Sequence, residues 1–290
     1  MKTFYNLPKK IFFCEKCVLS NQVPSSIPEF LHKPSREGAK YLEINKDNKG
    51  KNTCSPCKVH EMKNEIDWEK RERELLKLLD KYRSKKGEYD CIVPGSGGKD
   101  SVYAAHLLKY KYGMHPLTVT WPPILYTDYG YQNFKNWIEI GGFDNISLKP
   151  NGRVQKILTR LSIENLLHPF QTFILGQKNI GARMAAKFKI PLVFYGESDA
   201  EYNNPISEFS AIRDQKYWVN SNKNKFYLAG LPIKKLMNNY DVSFKDLKNY
   251  LPLDKNELGS TKIKYCYLGY FTKWTPQEAY YYSVENTNFK

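Results

Sequence analysis

No apolar run in this 290-residue chain reaches the roughly 18 residues that a membrane-spanning helix needs, so no transmembrane segment is expected. The N-terminus, M-K-T-F-Y-N-L-P-K-K-I-F-F, is interrupted by Pro8 and by lysines. It lacks the apolar core and small-residue cleavage site of a secretory signal, and a cytoplasmic protein is expected. Internal repeats are absent. Acidic residues are in short supply: 30 Asp and Glu against 45 Lys and Arg leave a net charge of +15. Such a surface suits an anionic partner, whether nucleic acid, nucleotide, phosphosugar or membrane surface. The lysines are scattered and often flank Asp or Glu, so charge alone does not single out nucleic acid.

Two common phosphate-binding motifs are also missing. The turn I-V-P-G-S-G-G-K-D-S (92–101) has Gly98-Lys99, but Val93 and Asp100 stand where a Walker A loop needs Gly and Ser or Thr. Gly95 and Gly97 begin a dinucleotide fingerprint that Asp100 again breaks. What is present is still an anion site by its chemistry. Glycines let backbone N–H groups converge, Ser96 and Ser101 add hydroxyls, and a helix beginning near Asp100 offers free N–H groups and a positive dipole end. Lys99 supplies charge. Asp100 would repel a bare phosphate and makes sense if Mg²⁺ accompanies the ligand.

The texture of the chain divides it. Residues 1–62 are rich in proline (Pro8, Pro24, Pro28, Pro34, Pro56) and poor in periodic structure. They carry Cys14-x-x-Cys17 and Cys54-x-x-Cys57. In a cytosolic chain two such pairs read as a four-thiolate structural zinc site, which would order a segment without a conventional core. Residues 63–87 read as a charged linker helix stopped by Gly87. From 88 to 205 short strands (89–94, 116–121, near 145–148, 191–195) alternate with helices (100–112, 129–140, 153–167, 172–188). That alternation predicts an α/β fold with a parallel sheet covered on both faces. Residues 206–290 read as mainly helical, with clustered Tyr and Lys. Cys91, in an apolar strand, reads as a buried filler, and Cys266 carries no readable role.

A second motif, V-F-Y-G-E-S-D-A-E-Y (193–202), follows the last of these strands, so its loop opens at the same sheet edge as the glycine turn. Gly196 permits close approach there. Glu197, Asp199 and Glu201 could hold Mg²⁺ or receive a proton.

The S-G-G-K-D-S turn after a strand resembles the signature of the PP-loop ATP pyrophosphatases. The resemblance implies a Rossmann-like, doubly wound fold of HUP type and cleavage of ATP between its α and β phosphates. Phosphate contacts would then come from Ser96, Gly97, Gly98, Lys99, Asp100, Ser101 and Gly196, and the stretch Thr118 to Trp121 ending the second strand, Thr120 within it, would lie where adenine is held. Lys99, Asp100, Glu197 and Glu201 would be the catalytic set. The ordered series C-x-x-C-V, a second C-x-x-C, Y-D-C-I-V-P-G-S-G-G-K-D-S, L-T-V-T-W, T-D-Y-G-Y-Q-N-F, G-G-F-D-N, H-P-F-Q-T-F-I-L-G-Q-K-N-I-G-A-R, Y-G-E-S-D-A-E-Y and K-W-T-P is more specific. It resembles the N-acetyl sugar amidotransferases of bacterial lipopolysaccharide O-antigen and nonulosonic acid (pseudaminic and legionaminic) biosynthesis. By that resemblance the protein would adenylate a sugar N-acetyl group and use ammonia to form an acetamidino group. A separate class-I glutaminase subunit would supply the ammonia, and the N-acetylated sugar would be nucleotide- or lipid-linked. Gln171, Gln177 and Arg183 would contact the sugar, and no nucleic-acid partner is expected. The chain stops at S-V-E-N-T-N-F-K without an evident helix end, which raises the expectation of a truncated C-terminal part of the sugar site. The competing reading is a tRNA-thiolating or tRNA-amidating PP-loop enzyme, suggested by the charge and the cysteine pairs.

Overall fold

The structure, a computed structural model, describes residues 7–23, 33, 41–201, 204–220 and 226–290. Pro24, Pro28, Pro34 and Tyr202 of the sequence motifs lie outside the described residues. In chain order the elements begin with β1 (Ile44–Lys46), β2 (Asn52–Cys54), α1 (Ser55–Met62), α2 (Trp68–Tyr82), β3 (Cys91–Pro94), α3 (Lys99–His106), β4 (Pro116–Thr120), α4 (Asp128–Glu139), β5 (Asn145–Ser147), α5 (Gly152–Leu166), α6 (Gln171–Phe188) and β6 (Leu192–Tyr195). They continue with β7 (Tyr227–Leu228), β8 (Leu231–Pro232), α7 (Ile233–Asn239), α8 (Phe244–Leu247), α9 (Lys255–Leu258), β9 (Lys264–Tyr267) and α10 (Pro276–Thr287).

Five strands form one parallel sheet in the order β5-β4-β3-β6-β9. The chain starts at the central β3, winds outward to β5, then crosses back to β6 on the other side. Parallel strands buried on both faces read as continuous apolar runs, and β3 and β4 are buried throughout. Side chains alternate. Ile92, Val119, Val193 and Tyr265 enter a core under α5 and α6, while Cys91, Val93, Phe194 and Cys266 enter a second core under α2, α3 and α10. Helices therefore cover both faces, as the alternation predicted.

The region read as mainly helical also supplies a fifth strand, β9, which the sequence reading did not include. K-Y-C-Y is too short, and too lacking in aliphatic residues, to announce itself. It becomes a strand by pairing along β6, from Leu192 opposite Lys264 to Tyr195 opposite Tyr267. Around it lie the short helices α7 to α9, the hairpin of β7 and β8, and the twelve-residue α10. The expected 63–87 helix is shorter. Asp67 caps it by accepting from the Lys70 N–H, so it starts at Trp68 and leaves Ile66 outside. It ends at Tyr82, where Arg83 turns to donate to the carbonyls of Tyr112 and Gly113. Leu75 and Leu79 are its buried stripe, each worth about 2 kcal/mol of burial. The last helix does have an end. Asn288 adopts φ 52°, the left-handed C-cap conformation, and its carbonyl accepts from Asn136 of α4. Among the described residues no helix is long and apolar enough to cross a membrane.

Candidate functional site

The chain order reverses at β3 and β6, and the loops leaving their carboxyl ends enclose a cleft of about 410 Å³. A crevice at such a reversal is where open parallel sheets bind ligands, and the volume is of ligand size. One wall is the glycine turn. Gly97 takes φ +81°, and a β-carbon there would lie 2.6 Å from the Phe134 backbone, so this glycine seats the turn on α4 rather than lining the cleft. Gly95, Ser96, Gly98, Asp100 and Ser101 do line it. Gly98 is the N-cap of α3 and brings no side-chain cap, so the first N–H groups of that helix are left for another acceptor. Ser101 donates to the Gly98 carbonyl at 2.9 Å, closing the turn on itself.

Lys99 does not line the cleft. Its Nζ lies 2.8 Å from both carboxylate oxygens of Asp100 and 5.7 Å from the centre of the Trp274 ring. It therefore offsets the charge of Asp100.

The other wall is the acidic loop after β6, and here the structure separates three carboxylates that look alike in sequence. Glu197 lines the cleft and has no ion-pair partner among the described residues. Burial, then the negative charge of Asp100, pushes its carboxyl up to about 7. Asp199 also lines the cleft but accepts from the Tyr267 hydroxyl and faces Arg213 at 3.9 Å. Burial would raise its pKa, yet the charges of Arg213 and Lys178 outweigh it and hold the group below its ordinary value. Glu201 is not a cleft residue. It pairs with Lys63, and the two side chains are 9% and 8% exposed. Burial raises its carboxyl, with Lys63 opposing the shift in part.

Lys63 ties this site to the cysteine segment. It follows α1, which begins immediately after Cys54 and carries Cys57, and it also donates to the Trp274 carbonyl at 2.8 Å. Trp274, from the K-W-T-P stretch, thus has the ammonium groups of both Lys63 and Lys99 near its ring, at 5.1 and 5.7 Å from the centroid. The four thiols of Cys14, Cys17, Cys54 and Cys57 all lie within 4.8 Å of one another and could hold a structural zinc ion. The turn at 14–17, the end of β2 and the first turn of α1 present them. Burial would raise the Cys14 thiol, but N–H groups of Cys54, Lys16 and Cys17 outweigh it and bring it down to about 6. The Cys54 thiol is pushed up to about 11, chiefly by burial and also by hydrogen bonds with Cys17 and Cys14, an arrangement that a central dication relieves.

Other sequence candidates fall outside the cleft. Thr120 is buried, and its hydroxyl accepts from Asn145 at 3.0 Å; its neighbour Trp121 is the cleft residue. Gly176 lets α6 pack directly on the Trp121 indole. Gln171 is wholly buried and accepts from the Ala229 N–H at 2.9 Å. Arg183 pairs with Glu257 at 2.7 Å and donates to the carbonyls of Lys248 and Leu251. Of the three residues expected to touch a sugar, only Gln177 lines the cleft. Trp121 belongs to the 118–121 stretch that the sequence offered for adenine; Lys178, Arg213 and Tyr267 were missed. No motif marks Arg213, and Tyr267 belongs to the strand that the sequence hid.

No family model matches the chain. Over 70 residues it is 40% identical to an uncharacterized protein of Methanocaldococcus jannaschii, covering 24% of this chain and 25% of that protein. The match thus spans a quarter of that relative's length, and its name carries no activity.

Proposed function

We propose that the protein is a PP-loop ATP pyrophosphatase of Rossmann-like fold that acts as an N-acetyl sugar amidotransferase. The observation that carries the reading is the meeting of the S-G-G-K-D-S turn and the G-E-S-D-A-E loop across one cleft, at the point where the strand order reverses. The donor set suits a magnesium nucleotide. Uncapped N–H groups at the start of α3 and the Ser96 hydroxyl would hold phosphoryl oxygens, and Asp100 and Glu197 would hold Mg²⁺. When bound, Mg²⁺ would neutralise charge on the departing diphosphate. Glu201, engaged by Lys63, would position the acidic loop rather than act on substrate.

In the reaction the carbonyl oxygen of an acetamido group attacks the α-phosphorus of ATP. The bond to the β-phosphate breaks and pyrophosphate leaves. Ammonia then adds to the activated carbon, and AMP departs with the former carbonyl oxygen. The product is an amidine that holds a proton near neutral pH. Positioning ammonia against the adenylate would supply much of the rate. A glutaminase partner would deliver the ammonia, and the cysteine segment would carry zinc. A nucleotide- or lipid-linked sugar remains the expected substrate.

The test is AMP and pyrophosphate release from Mg-ATP and ammonium ion, against a panel of N-acetylated sugars and bulk tRNA, with Asp100→Ala as control. Release that requires a sugar and vanishes in the variant supports the reading. Release driven by tRNA would replace it with the tRNA-modifying alternative, which the +15 charge favours.

A further inference from the structure

The cleft holds two groups of charges. Asp100 of the glycine turn and Glu197 of the acidic loop repel each other across the cleft, with Lys99 engaged by Asp100. A second group of charges lines the same cleft around Asp199: Arg213 and Lys178, two cations to one carboxylate. Arg213 is fixed through its backbone. Its N–H donates to the Tyr265 carbonyl at 2.9 Å, and Ile212 bridges Cys266, so residues 211–213 lie along the free edge of β9. The side chain is 6% exposed and passes the rings of Tyr265 and Tyr217, with centroids at 5.8 and 6.0 Å. Its Nε is buried and has no hydrogen-bond partner. Asp199 is 3.9 Å from that nitrogen, beyond hydrogen-bond reach, and already accepts from Tyr267. A guanidinium that lines the cleft, with the facing Asp199 carboxylate beyond hydrogen-bond reach, keeps charge that an oxyanion in the cleft would meet.

We propose that Arg213, with Lys178 of the same cleft lining, is a second oxyanion subsite, and that it takes the phosphoryl oxygens of a nucleotide's α-phosphate. The glycine turn would hold the diphosphate that leaves. This rests on the nucleotide reading of the cleft. It gives the site a separate group for the phosphorus that is attacked, and a cation that stays with AMP after pyrophosphate has gone.

The experiment is calorimetric titration of AMP, pyrophosphate and ATP into the full chain and into two variants. Arg213→Gln removes the cation. The double variant Asp199→Asn with Arg213→Gln removes both charges of the pair, so no uncompensated carboxylate remains to unfold it. Expected is a loss of AMP affinity of about tenfold or more in both, with pyrophosphate affinity within about twofold of the parent. AMP affinity unchanged in a double variant of normal melting temperature overturns the subsite and leaves the nucleotide reading standing. Pyrophosphate lost with AMP retained would put the diphosphate at Arg213 and overturn the assignment. A parent protein that binds neither ATP nor pyrophosphate removes the nucleotide reading, and the subsite with it.

Discussion

A β-carbon placed on Gly196 would lie 2.7 Å from the carbonyl oxygen of Asp100. The two loops of the cleft therefore touch backbone to backbone, and the glycine is what allows it. Gly196 also accepts from the Gly269 N–H at 2.7 Å, so it is gripped from the β9 side as well. Gly196→Ala must push the acidic loop off α3. Overpacking of this kind costs about 1–3 kcal/mol. The melting temperature should fall by a few degrees and ATP affinity by about tenfold or more, both readable by calorimetry. Unaltered ATP binding would show that the loops need not meet.

Lys63→Met should cost about 3–5 kcal/mol, because it leaves Glu201 buried without its cation. Adding Glu201→Gln should recover much of the loss, since no buried charge then remains. The sign with pH follows from the carboxyl, which is raised even with Lys63 present. Without the lysine it rises further, so the single variant is least destabilised in acid and worst above neutrality. Urea unfolding of both variants at pH 5 and pH 8 checks this.

Glu197 titrates near 7 in the folded chain against an ordinary value of 4.5. A carboxyl raised on folding opposes stability as pH climbs from its unfolded to its folded value. Glu197→Gln should therefore raise stability at pH 8 by roughly 2–3 kcal/mol and leave it unchanged near pH 4. Divalent cation affinity should strengthen between pH 6 and 8 as the proton leaves, and the variant should lose that dependence. A flat Mg²⁺ affinity across that range in the parent would remove Glu197 as a ligand.

Replacing Cys57 by serine should abolish a one-to-one zinc content, measured by elemental analysis of the purified chain. Because α1 runs directly from that cysteine to Lys63, the effect should travel. Hydrogen exchange at residues 197–201 should quicken when the metal is lost. Zinc-free protein with unchanged exchange there would show the two regions to be independent.

Arg183→Ala should behave as a structural change. It removes an ion pair and two carbonyl contacts to the segment at 248–257, so the melting temperature should drop. The KM for any substrate should stay within about twofold.

The alternation of short apolar strands with amphipathic helices was legible because a sheet buried on both faces demands continuous apolar runs. The cysteine pairs were legible because ligand spacing is local. K-Y-C-Y was not legible as a strand, since nothing in four residues shows that β6 has an open edge for them. The acidic loop was legible only as a loop. Three carboxylates within five residues are equivalent on paper, and their fates depend on partners far along the chain.

The sequence by itself determined the glycine turn, the four thiols, the carboxylates and the strand–helix rhythm that brings two loops to one sheet edge. These follow from local geometry and hydrophobic period. Tertiary structure alone decided that Glu201 belongs to Lys63, that Asp199 answers Arg213, and that Glu197 is left facing the cleft. The physical reason is that a charge's role is set by which opposite charge burial brings within a few ångströms, and sequence separation does not encode that distance.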